Sequence, residues 1–151
     1  METIKKTFIE ITRELNEHNI KPIIYGSLGL YLKLKIEGHV NDIDFIIDKP
    51  EEFLICKEIL LQKGFEIDPD HERELFKGDL FVSFIDKIEI ENLIKEPLKL
   101  DTNELDNCIF LNIDISQYQK IYKNGLKNIY RKEKKEKEDT EKIRTIESFH
   151  I

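Results

Sequence analysis

The segment Tyr25 to Phe45, YGSLGLYLKLKIEGHVNDIDF, constrains the fold more than any other part of the chain. A short apolar run ends in Gly26-Ser27, a leucine-rich stretch follows, and a second apolar run opens with Asp42-Ile43-Asp44. Residues two apart in a strand share a face, so Asp42 and Asp44 project together while Ile43 points the other way. Two carboxylates held that close repel each other and resist burial unless a cation lies between them. A divalent metal resolves the conflict, because Mg²⁺ takes few protein carboxylates and leaves its other positions to water and phosphate oxygens. Gly26 and Ser27 stand where a strand gives way to a helix. Backbone N–H groups and the positive end of the helix dipole there make a phosphate cradle beside the carboxylates. Gly26 permits close approach, Ser27 adds a hydroxyl, and Gly29 lets the helix pack near the strand. Taken alone, Asp-x-Asp also fits an exposed edge strand with alternating acids.

Periodicity organises the rest. Ile4, Phe8, Ile11 and Leu15 recur at helical spacing and predict an amphipathic helix over 2–18. A short strand ends at Gly26, Ser27 is the expected N-cap of a helix over Leu28 to Ile36, and Gly38 is expected to close it. NDIDFIID is the second strand, and a helix opened by Pro50 and ended by Gly64 follows. FEID reads as a third strand, and ERELFKGDLFVSFID as a hairpin turning at Gly78-Asp79. That turn pairs Lys77 with Leu80, Phe76 with Phe81, Leu75 with Val82 and Glu74 with Ser83. A short helix over Glu89 to Lys95, a hairpin of LKLD with CIFLNI, and a helix from Asp114 or Ser116 come next. The run RKEKKEKED, Arg131 to Asp139, reads as a solvated helix or exposed linker, and EDTEKIRTIESF as a last helix.

At 151 residues and 40% hydrophobic content the expectation is one α+β domain, residues 1–151, with a C-terminal helical segment at about 114–149. Cys56 and Cys108 fall in apolar runs and read as buried thiols rather than nucleophiles or metal ligands. No apolar run approaches a membrane span, and METIKKTFIEITREL mixes acids into an amphipathic pattern, unlike a signal or transit peptide. A cytoplasmic protein without a membrane role is expected. The formal net charge of -7 argues against binding duplex DNA, which is dominated by phosphate neutralisation.

Gly26-Ser27, a helix, and Asp42-Ile43-Asp44 together resemble the signature of the nucleotidyltransferase superfamily that includes DNA polymerase beta and the minimal and aminoglycoside nucleotidyltransferases. The turn YGSLGL, the segment His71-Glu72-Arg73-Glu74-Leu75-Phe76 and the C-terminal QYQKIYKNGLKNIYRKEKKEKEDTEKI extend the likeness from about residue 20 to 146. The resemblance implies a nucleotidyltransferase-like fold: a small mixed β-sheet flanked by helices, with C-terminal helices. It also implies Mg²⁺- or Mn²⁺-dependent transfer of a nucleoside monophosphate from a triphosphate such as ATP to an acceptor. Gly26 and Ser27 would hold the triphosphate, Asp42 and Asp44 the metals, and Lys123 is a candidate phosphate partner or a solvent-facing lysine.

Members of the superfamily add a third carboxylate from a neighbouring strand, and here that position falls on Ser83. Glu74, across the hairpin on the same face, offers a replacement carboxylate, with a hairpin ion pair as its other reading. Asp86 is the second choice, on the opposite face. His71 is a candidate base or an exposed turn residue, and His39 a phosphate contact or a loop residue. Three readings remain open: an active nucleotidyltransferase whose acceptor (small molecule, protein or RNA) binds in a cleft, a homodimer or a partner-completed site; a nucleotide- or partner-binding module without turnover; and an unrelated α+β domain. The same metals presenting water would make a hydrolase.

Overall fold

The computed structural model describes residues 1–127 and 129–149, and side chains outside 126–134. Its elements run α1 (Glu2–Glu17), β1 (Ile23–Tyr25), α2 (Gly26–Leu34), β2 (Asp42–Ile47), α3 (Pro50–Gln62), β3 (Glu66–Asp68), β4 (His71–Lys77), β5 (Leu80–Asp86), α4 (Lys87–Ile94), β6 (Leu100–Leu105), β7 (Cys108–Ile113), α5 (Ile115–Lys127) and α6 (Ile129–Ser148).

Seven strands form one mixed sheet in the order β3-β4-β5-β2-β1-β7-β6. β2 lies near its centre, antiparallel to β1 and parallel to β5. The hairpin register expected from Gly78-Asp79 is the register observed, with Glu74 opposite Ser83 and Leu75 opposite Val82. Each strand sorts its side chains by parity. Ile43, Phe45 and Ile47 of β2 join Val82 and Phe84 of β5 in a core shared with Phe8, Ile11 and Leu15 of α1 and Cys56, Ile59 and Leu60 of α3. On the opposite face Ile46 meets Ile90 and Ile94 of α4, Tyr118 and Tyr122 of α5, and Ile143 and Ile146 of α6. The odd positions of β2 thus bury carbon, and the even positions carry Asp42 and Asp44 toward the second face.

Two local expectations need correction, and one open alternative is decided. Ser27 is not the N-cap of α2: Tyr25 holds that place in extended backbone without a side-chain cap, and Gly26 enters the helix at φ +71°. Gly38 does not close α2, because Lys35 takes the left-handed position (φ +58°), and Gly38 instead lies under the Tyr31 ring. Of the two readings of the charged run, the helix is the one observed, since α6 is helical from Ile129 onward. Lysine and glutamate are good helix formers, and Lys135 pairs with Glu138 at 3.3 Å one turn on. The side chains of 131–134 in that run lie outside the described residues.

No helix among the described residues is long and apolar enough to cross a membrane. Cys56 and Cys108 are buried free thiols, and burial pushes Cys56 up to about 12.

Candidate nucleotide and metal site

The carboxylates of β2 face a cleft of about 700 Å³ between the sheet and the C-terminal helices. Gly26, Ser27, Asp42, Asp44 and His39 all line it. The turn and the acidic strand meet because β1 and β2 are antiparallel neighbours, with Tyr25 opposite Asp44. A Cβ on Gly26 would come 2.2 Å from Asp44 Oδ2, so the carboxylate rests directly against the glycine. Two properties of Gly26 are therefore needed at once: its left-handed φ and its missing side chain. Tyr25 gives α2 no side-chain cap, and the start of the helix, Gly26 and Ser27, lines the cleft with the positive end of its dipole.

Behind the turn lies a buried polar bridge. Tyr118 donates its hydroxyl to Asn112 Oδ1 at 2.5 Å, Asn112 Nδ2 donates to the Gly29 carbonyl at 2.9 Å, and the Ile113 N–H donates to Asn112 Oδ1 at 2.9 Å. This ties α5 and β7 to α2. Gly29 is small because a Cβ there would fall 2.3 Å from Tyr118 Oη and 3.3 Å from the Ile24 backbone. The close helix–strand packing expected of Gly29 is present, and the tyrosine hydroxyl makes it tighter still.

Helix α6 supplies the facing wall. Asp139, Ile143 and Ile146 are buried, while Lys135, Glu138, Glu141, Lys142 and Thr145 line the cleft. Asp42 feels this wall. Its carboxyl is held above the usual range, first by desolvation; Glu74 and Glu138 push the same way, and Lys135 and Lys142 pull against them. Tyr31 is raised by burial and then by Glu141 and Glu138. Tyr118 is raised well above its ordinary range by burial, with Tyr122 and Asp44 adding to it. A carboxylate that costs free energy to ionise, beside a second one on the same strand face, suits a divalent cation.

The remaining expected residues separate. Ser83 is the direct neighbour of Asp44 in the parallel β2–β5 pairing, and Glu74 is the direct neighbour of Ser83. Ser83 donates its hydroxyl to Glu74 Oε1 at 3.0 Å, which places this carboxylate two strands from Asp44 and outside the cleft lining. Asp86 lies on the other face, where Arg73 binds it at 3.2 Å, so it does not reach the cleft. Lys123 is exposed on α5 and is not among the lining residues, whereas Lys135 and Lys142 are. The cleft wall on α6 was missed from sequence. Its signal was the helical spacing of 135, 138, 142 and 145 in a stripe beside the buried positions 139, 143 and 146.

Comparison with known proteins decides the fold. A solved structure, an antigenic nucleotidyltransferase-like protein from Paracoccidioides brasiliensis, superposes with a TM-score of 0.60 at 14% identity, over 93% of this chain and 74% of that one. The fold is nucleotidyltransferase-like. In sequence the chain is 29% identical over 150 residues to the uncharacterized protein YnaI of Bacillus subtilis (strain 168), covering 92% of each. No protein-family model matches the chain. In this chain the cleft lies at the end of β1 and on one face of β2, where the sequence signature lies.

Proposed function

We propose that the chain is a metal-dependent nucleotidyltransferase that binds a nucleoside triphosphate in the cleft. The observation that carries this reading is the contact of the Asp44 carboxylate with Gly26, which joins the acidic strand face and the uncapped helix start in one site. The triphosphate would lie along the N–H groups of Gly26 and Ser27, with the Ser27 hydroxyl as a further donor. Asp42 and Asp44 would hold Mg²⁺ or Mn²⁺, which when bound supplies charge neutralisation at the phosphate oxygens. Lys135 and Lys142 reach the same cleft and would add positive charge on its far side. Lys123, exposed on α5, would serve only a triphosphate tail that extends out of the cleft. Glu74 would act as the base toward an acceptor hydroxyl, which requires its carboxylate to leave Ser83 and swing toward Asp44.

That requirement favours a second reading. Ser83 occupies the register position beside Asp44, and Glu74 is bonded to it outside the cleft lining, as a binding module without turnover would allow. Calorimetric titration of each nucleoside triphosphate with and without Mg²⁺ tests both readings. Binding that needs Mg²⁺ and disappears in Asp42→Asn/Asp44→Asn supports the site; binding of no triphosphate refutes the enzyme and the nucleotide-binding module and leaves a partner-binding module. Glu74→Gln then separates them, since an enzyme loses turnover with binding kept.

A further inference from the structure

Two carboxylates and an imidazole converge at the outer end of the sheet, away from the cleft. Asp68, His71 and Glu74 each offer one ligand atom, all within 4.8 Å of one another. His71 Nδ1 lies 3.8 Å from Asp68 Oδ2 and 3.7 Å from Glu74 Oε2. Regular alternation would send His71 and Glu74 to opposite faces of β4. A register break between Ile67 and Asp68 prevents this: Ile67 pairs with Leu75 but Asp68 with His71, so the ring swings back to the side of Glu74.

Both carboxylates are oriented from outside the cluster. Glu74 Oε1 accepts the Ser83 hydroxyl at 3.0 Å, which turns Oε2 toward His71. Asp68 Oδ1 accepts the Asp70 N–H at 2.9 Å, which turns Oδ2 inward. Nearby cations are engaged elsewhere. Arg73 sits on the other face with Asp86 and the Phe53 ring, and Lys77 donates to the Lys63 carbonyl at 2.8 Å. Among the described residues, the only ion-pair partner of Asp68 and Glu74 is therefore an imidazole, which carries charge only when protonated. Two inward carboxylate oxygens and one ring nitrogen thus face one another without another cation among the described residues between them.

We propose that Asp68, His71 and Glu74 form a divalent transition-metal site, of the Zn²⁺ or Mn²⁺ class, distinct from the Asp42–Asp44 pair. One nitrogen and two oxygen donors suit such an ion, whereas Ca²⁺ asks for six or more oxygens. Tetrahedral bonds of about 2.0–2.2 Å require ligand–ligand edges of about 3.4 Å. The two His71 edges of 3.7 and 3.8 Å, and an Asp68–Glu74 edge within 4.8 Å, close to that by rotation of an exposed His71 and two partly exposed carboxylates. The Ser83–Glu74 hydrogen bond is the supporting contact that orients a ligating carboxylate. Occupancy would clamp β3 to β4 and fix Glu74 one strand from the neighbour of Asp44. Metal binding itself does not depend on the cleft, but a loaded site holds Glu74 on Ser83 and away from Asp44, so occupancy and the role of Glu74 as the base exclude each other.

Calorimetric titration of Zn²⁺ into the metal-stripped full chain tests it, with His71→Ala, Asp68→Asn and Asp42→Asn/Asp44→Asn in parallel. His71 is exposed, and Asp68→Asn covers the case in which His71→Ala misfolds. The expected result is Zn²⁺ binding that survives the cleft double variant and weakens at least tenfold in His71→Ala and Asp68→Asn. No Zn²⁺ binding, a smaller loss in those variants, or a loss confined to the cleft variant overturns the site.

Discussion

The two faces of β2 and β5 are built from alternate residues of the same strands, yet they obey different rules. On one face Phe45 stacks on Phe84 at 5.7 Å and on Phe8 at 6.0 Å, Phe8 meets Phe110 edge-on at 5.1 Å, and Phe53 meets Phe84 edge-on at 5.1 Å. Five rings from three strands and two helices form one continuous apolar layer. On the other face Asp44 and Ser83 occupy the adjacent positions of the same strands, and the layer is interrupted by a cleft, a buried Tyr118–Asn112 bridge and a wall of charged side chains. The first face is optimised for burial, which is the dominant favourable term in folding. The second keeps ionisable groups partly desolvated at some cost in stability, as functional surfaces commonly do.

The sharpest way to break this contrast is Phe45→Ala. A fully buried ring in the aromatic layer is removed, so stability should fall by about 3–5 kcal/mol, read as a lowered denaturation midpoint. Mg²⁺-triphosphate affinity should hold below that midpoint. Gly26→Ala is the converse experiment. Its Cβ would meet Asp44 Oδ2 at 2.2 Å in a left-handed backbone, and the expected cost is about 1–3 kcal/mol, together with loss of triphosphate binding. Retained affinity in Gly26→Ala would remove the contact from the site. Tyr118→Phe tests the buried bridge behind the Gly26 turn. It deletes one donor while Asn112 Oδ1 still accepts from Ile113, so chemical denaturation should show a loss of about 0.5–1.5 kcal/mol.

The smallest effect should have the opposite sign. Because the folded protein holds Asp42 above its ordinary 3.8, the folded state binds that proton more tightly than the unfolded chain. Stability from this group is present at low pH, falls as pH rises from about 3.8 through the higher folded value, and stays lost above it. Asp42→Asn should therefore melt slightly higher than wild type at neutral pH in metal-free buffer, with the difference vanishing below about pH 3.8. A lower melting temperature for Asp42→Asn at neutral pH would show that the carboxylate is stabilising and would reverse the contrast drawn here.

What could be read without coordinates divides along the same line. The apolar face was legible because period-two alternation and the Gly78-Asp79 turn determine strand register, down to Glu74 opposite Ser83. The approach of Asp42 and Asp44 to the Gly26 turn was legible in outline, since a strand, turn, helix and strand bring them near each other. The α6 wall was not, because residues 131–142 contain no apolar side chain to reveal a helical face, and its direction is set by packing of Ile143 and Ile146 against the second core. The swing of His71 toward Glu74 was hidden for another reason: a register break overrides the alternation from which faces are inferred.

The parity of β2 has a consequence for how this chain can change over time. Point substitutions at its even and odd positions act on separate faces, so the site can drift while the aromatic layer stays intact. Insertion or deletion of a single residue between Asp42 and Phe45 would exchange the faces downstream, carrying carboxylate into the phenylalanine layer and an aromatic ring into the cleft. The strand is therefore tolerant of spelling changes and intolerant of frame changes, and length variation among its descendants should gather in the loop before Asp42 rather than within the strand.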